Sequence, residues 1–143
     1  MIRLTNLADY AVILMSKISQ SETRLSAQDL SKSTGLPVPT VSKILNALGR
    51  SGLLASHRGI KGGFALAKEA GEISMADIVE AIDGPIALTN CADTTTGPCS
   101  YSEMCDLKPH WVDINDAVRI ALDDVKLAKV ASKTSAAPAA SAE

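Results

Sequence analysis

The chain has 143 residues, of which 46% are hydrophobic and 3% aromatic, a length that suits one compact domain with an appended helix. Its longest early apolar run, Ala11 to Met15, is too short for a signal-peptide core or a membrane span, so we expect a cytoplasmic protein with no membrane partner. The net charge of −2 hides an uneven division: residues 1–68 carry nine Lys or Arg against three acids, and residues 69–143 carry five against thirteen.

From the N-terminus, Leu7, Ala11, Leu14, Met15 and Ile18 recur at three- and four-residue steps, which predicts an amphipathic helix over residues 6–19. Asn6 is its expected cap, and Asp9 lies in its first turn, where a carboxylate suits the helix dipole. Ser26-Ala27-Gln28-Asp29 has the form of a capping box and opens a second helix that should end at Gly35. Pro37 and Pro39 introduce a third, with Val41, Ile44, Leu45 and Leu48 on one face and Gly52 beyond its end. Two short helices joined by a glycine-containing turn make a helix-turn-helix. Thr40, Ser42, Lys43 and Asn46 are then expected to point toward the major groove of double-stranded DNA.

Leu54 to Arg58 and Phe64 to Ala67 flank Gly59-Ile60-Lys61-Gly62-Gly63 and predict a two-stranded hairpin with a basic tip. A helix-turn-helix followed by such a hairpin is a winged helix, with Arg58 and Lys61 on the wing within reach of phosphates or a narrow minor groove. Between Asp29 and Glu69 there is no acid, and Lys32, Lys43, Arg50, Arg58, Lys61 and Lys68 supply the positive field that a phosphate backbone needs.

Ser74 to Ile82 predict a further short helix ended by Gly84-Pro85. All three cysteines follow, as Cys91-x7-Cys99-x5-Cys105, in a stretch of Thr, Gly, Pro, Ser and Asp that reads as a loop. In a reducing compartment, clustered thiols suggest soft-metal ligands, and zinc or an iron-sulfur cluster are the candidates. The lack of a closely spaced Cys pair favours an object larger than one ion, with a fourth position left to another group; His110 is the nearest in sequence. Pro109 opens a long helix with Trp111, Ile114, Val118, Ala121, Leu122 and Val125 on one seam, for which we expect a second copy of the chain as partner.

The expected architecture is mainly α with a small β-wing. It comprises a winged helix-turn-helix DNA-binding domain over 1–85, a cysteine-rich cluster-binding loop over 86–108, a dimerisation helix over 109–131 and a disordered tail over 132–143. No nucleophile-base pair or oxyanion motif points to an enzyme.

Arg3-Leu4-Thr5, Asp9-Tyr10-Ala11-Val12, the wing motif Arg58-Gly59-x-x-Gly62-Gly63-Phe64-x-Leu66 and the three-cysteine loop before Trp111 together resemble the IscR/NsrR-type winged-helix iron-sulfur regulators, over about residues 1 to 130. The resemblance implies a dimeric transcription factor, a repressor of iron-sulfur cluster assembly genes. It makes Cys91, Cys99 and Cys105 ligands of a two-iron or four-iron cluster and Arg58 a wing contact to DNA. Isc-type members use a histidine three residues after the last cysteine; that position is Lys108 here, and His110 is displaced by two. The nitric-oxide-sensing branch uses an aspartate near the first helix of the opposite subunit, which Asp9 matches, so Asp9 is the expected fourth ligand and His110 the alternative. Isc-type members carry a glutamate where this chain has Ser42, so the resemblance does not carry over the operator sequence. A nitric-oxide or redox sensor of the same family, or a cluster-free thiol switch, is the alternative function.

Overall fold

A computed structural model describes residues 1–135, with side chains to residue 133. Its elements run α1 (Asn6–Gln20), α2 (Ala27–Thr34), α3 (Val38–Arg50), β1 (Leu54–His57), β2 (Gly63–Leu66), α4 (Met75–Asp83), α5 (Lys108–Asp123) and α6 (Leu127–Ser135). The architecture is mainly α with a small two-stranded wing.

Local chemistry sets most of the boundaries. Thr5, rather than Asn6, caps α1: its hydroxyl accepts from the Ala8 N–H at 3.1 Å and donates to Asp83 Oδ1 at 2.7 Å, so the cap also ties α1 to the end of α4. Ser26 and Asp29 form a reciprocal capping box at α2, and Ser74 and Asp77 form another at α4, each satisfying otherwise orphaned N–H groups. Gly35 closes α2 in the left-handed conformation at φ 75°. Pro37 and Pro39 shape the start of α3, which has no side-chain cap.

The wing pairs antiparallel from Leu54 opposite Leu66 to His57 opposite Gly63. A third piece extends it, because Leu25, just before α2, exchanges hydrogen bonds with Phe64 at 3.1 and 2.8 Å. The turn end of β2 is thus fastened to the start of the helix-turn-helix.

With four aromatic residues in the chain, the core is aliphatic. Leu14, Met15, Leu30, Val41, Ile44, Leu45, Leu48, Ile73, Ile78 and Leu127 are all essentially inaccessible to solvent. Burial of each such side chain stabilises the fold by about 1.5–3 kcal/mol relative to exposure.

The single helix expected over 109–131 is two helices. Asp123 and Asp124 place carboxylates at the C-terminal end of α5, where the helix dipole disfavours them. The chain then bridges back to the segment before α4: Met75 N–H donates to the Val125 carbonyl at 2.9 Å, and Leu127 N–H donates to the Ile73 carbonyl at 2.8 Å. Leu127 enters the winged-helix core, and Gln20 of α1 donates to the Ala131 carbonyl at 2.8 Å. The expected seam divides accordingly: Leu122 and Val125 pack on the core, whereas Trp111, Ile114 and Ala121 are exposed. Of the expected tail over 132–143, residues 132–135 continue α6, and 136–143 lie outside the described residues. Among the described residues, no helix is long and apolar enough to cross a membrane.

Candidate nucleic-acid interface and thiol loop

Burial of Val41, Ile44, Leu45 and Leu48 fixes the orientation of α3. The opposite side presents Lys43, Asn46 and Arg50, all exposed and spaced three and four apart. Thr40 and Ser42 are half-buried on the two flanks of that face. Arg50 is the residue that the sequence reading left out of this face; its spacing from Lys43, two helical turns, was the available signal.

At the wing, Arg58, Lys61 and the intervening Ile60 are exposed. The turn is built on glycine. Gly59 has φ 109°, and the Gly62 N–H donates to its carbonyl at 2.9 Å. A Cβ on Gly62 would collide with the His57 carbonyl oxygen, and one on Gly63, at φ 145°, would stand 2.8 Å from the Leu25 carbonyl. A larger residue at Gly62 would strain the turn, and one at Gly63 would force β2 away from Leu25.

The thiol loop contrasts with both. From Pro85 to Leu107 the chain has turns and no helix or strand. Its internal bonds are local, such as Asp93 N–H to the Thr89 carbonyl at 3.2 Å and Met104 N–H to the Tyr101 carbonyl at 3.1 Å. Asp93 Oδ1 accepts from both the hydroxyl (2.6 Å) and the N–H (2.8 Å) of Thr95, which holds its carboxyl below the ordinary carboxylate range. Cys91, Cys99 and Cys105 are free and half-buried; Cys91 Sγ lies 3.0 Å from Thr89 Oγ1. Cys99 borders two open clefts, of about 260 and 400 Å³.

Among the described residues, no three His, Cys, Asp or Glu side chains converge as a metal site. Asp9 stands exposed in the first turn of α1, and His110 is exposed in the first turn of α5. The donor chemistry suits soft iron, with three thiols on one loop that lacks regular structure, but within a single chain these groups are not gathered.

Polar contacts that the sequence reading missed hold the base of the loop. Among the described residues of α5, Asn115 alone is buried, at 6% exposure. Its Nδ2 donates to the Ile86 carbonyl and its Oδ1 accepts from the Leu88 N–H, both at 2.9 Å. One turn on, Arg119 Nε donates to Glu80 Oε1 at 2.8 Å and Arg119 Nη2 donates to Glu80 Oε2 at 3.1 Å. Those hydrogen bonds, and then the charge of Glu80, raise the Arg119 pKa further above its ordinary value. Glu80 Oε1 also accepts from the Ile86 N–H at 3.4 Å.

The Rrf2 family, described as an iron-dependent transcriptional regulator, matches residues 4–133. A Mycobacterium tuberculosis protein named as an HTH-type transcriptional regulator, Rv1287, is 35% identical over 132 residues, covering 90% of this chain and 81% of that protein. The transcriptional regulator IscR of Cronobacter sakazakii is 29% identical over 130 residues, covering 90% of this chain and 79% of its own. The solved structure of CymR, the global cysteine regulator of B. subtilis, shares the fold with a TM-score of 0.72 at 24% identity, over 93% of this chain and 98% of that one.

Proposed function

This chain is a member of the Rrf2 family of DNA-binding transcriptional regulators, not enzymes, and from that premise we propose that it is a homodimeric repressor of iron-sulfur cluster assembly genes whose operator affinity depends on an iron-sulfur cluster. The observation that carries the reading is the set of three free thiols, Cys91, Cys99 and Cys105, on one turn-built loop attached to a winged helix. A two-iron or four-iron cluster, when bound, supplies redox chemistry that oxygen or nitric oxide can disturb. The chain's own part is to donate the three thiolates and to close the loop around them. Asp9 of a second copy is the fourth ligand we favour, because it stands where the nitric-oxide-sensing branch has its aspartate, and as a hard donor its carboxylate would be the first bond lost; His110 is the alternative.

The dimer assignment draws on α5. Leu107, Trp111, Ile114 and Ile120 are exposed on or beside it, with Ile120 at 57%, and Tyr101 and Met104 of the loop are exposed as well. Apolar surface of this extent on one helix and the adjoining loop suits a second copy of the chain. A monomeric mass by light scattering would end this assignment.

On DNA, Lys43, Asn46 and Arg50 on α3 face the major groove, flanked by Thr40 and Ser42, and Arg58 and Lys61 on the wing meet the backbone or the minor groove. Dependence on the cluster follows if the two loop states differ in which placement of the DNA-reading units they favour.

Anaerobic purification with absorption spectra, iron and acid-labile sulfide content and operator binding of both forms is the test. A colourless protein without iron or sulfide would sink the cluster. Asp9→Ala should leave folding intact and make the cluster labile, while His110→Ala should do little; the reverse result exchanges the two assignments. The free, ungathered thiols also favour a second reading, a cluster-free thiol switch. It predicts that metal-free protein changes its operator affinity on oxidation and regains it on reduction.

A further inference from the structure

We propose that Asn115, with the Arg119–Glu80 pair, is a positioning device that locks the base of the thiol loop, Ile86–Leu88, onto α4 and α5 and so couples the loop's state to DNA binding. The inference rests on the reading of the loop as the regulatory site.

Asparagine in the middle of an amphipathic helix is ordinarily solvated, and burying its amide without partners would be unfavourable. Asn115 satisfies both ends of its amide on the loop base, imitating one rung of a strand pair with Ile86 and Leu88. The adjacent Arg119–Glu80 contact is two-pronged, a geometry that fixes direction as well as distance. Glu80 Oε1 receives both Arg119 Nε and the Ile86 N–H, so one carboxylate joins α4, α5 and the loop base. On its other side, Glu80 shares a surface groove with Ser51, Leu53 and Lys68, which lie at the root of the wing. The loop base is therefore bonded to a residue that borders the wing root. A rearrangement of the loop that pulls on Ile86 or Leu88 must either break these bonds or carry α4 and α5 with it.

The test uses the full chain with Asn115→Ala, and Arg119→Lys as the second variant should the first not fold. In metal-free protein, Asn115→Ala should speed amide exchange at Leu88 by about fivefold to tenfold, the effect of losing one hydrogen bond. Iodoacetamide should also alkylate Cys91 faster, relative to Cys99. The decisive quantity is the ratio of operator affinities between the cluster-loaded and metal-free forms, which should fall toward one. If wild-type protein holds no iron, the cluster reading fails by itself, and the ratio is taken between alkylated and unmodified protein. Equal loss of affinity in both forms with the ratio kept, or unchanged Leu88 exchange, would overturn the proposal, as would a wild-type ratio of one.

Discussion

The winged helix and the thiol loop are built on opposite terms within one chain. In the winged helix, most helix boundaries have a local cause, a capping box, a left-handed glycine or a proline, and the aliphatic core behind them excludes water. Across residues 89–106 the bonds reach only a few residues along the chain, the thiols are half-buried, and Tyr101 and Met104 face solvent. The first region packs its own helices into one core, closed by Leu127 of α6 from beyond the loop. The second has its base fixed by Asn115 and leaves its three thiols and nearby apolar side chains without a packed core around them. Buried apolar contacts are thereby concentrated in the first region and sparse in the second.

The largest effect should come from breaking the winged helix at its centre. Leu45→Ala, at a site with no solvent access, should cost about 2–5 kcal/mol, whereas Cys99→Ser in metal-free protein should change stability by less than about 0.5 kcal/mol; urea denaturation measures both. Next comes the wing: Gly62→Ala drives a methyl group into the His57 carbonyl and should strain the turn by about 1–3 kcal/mol, read as weaker operator binding by fluorescence anisotropy. A smaller change is expected of Lys43→Ala, which should lower the slope of log affinity against log salt by about one unit if Lys43 meets a phosphate. Unequal losses among operator variants would instead put Lys43 on a base.

The smallest effect is a pH dependence. The Ser26 N–H, then the Ser26 hydroxyl, hold the Asp29 carboxyl below its ordinary value of 3.8. Its folded pKa is the lower one, so its contribution is present above about 3.8 in the unfolded chain and is lost as the pH falls through the depressed value. Denaturation midpoints of wild type and Asp29→Asn should therefore differ at neutral pH and converge in acid.

How much of this could be read from the residues depended on the range of the cause. Ser26 with Asp29, and Gly35 behind them, are local signals, and the helix-turn-helix, its apolar face and the wing were legible from them. Thr5 displaced Asn6 as the cap of α1 because its hydroxyl finds Asp83, 78 residues away. The break after Asp123 was masked because apolar spacing continues through Leu122 and Val125; the deciding bonds come from Ile73 and Met75. Asn115 resembled a solvated helix residue, since nothing near it in sequence reveals Ile86 and Leu88. The thiols were legible from their clustering on one polar stretch, whereas their spacing in the fold was not, because the loop between them has no regular structure to set it.

The placement of Leu127 also sets an order of events in synthesis. Because this side chain belongs to the winged-helix core, that core is complete only once the stretch beyond the thiol loop has been translated. All three cysteines precede Leu127, so they leave the ribosome before this member of the core does.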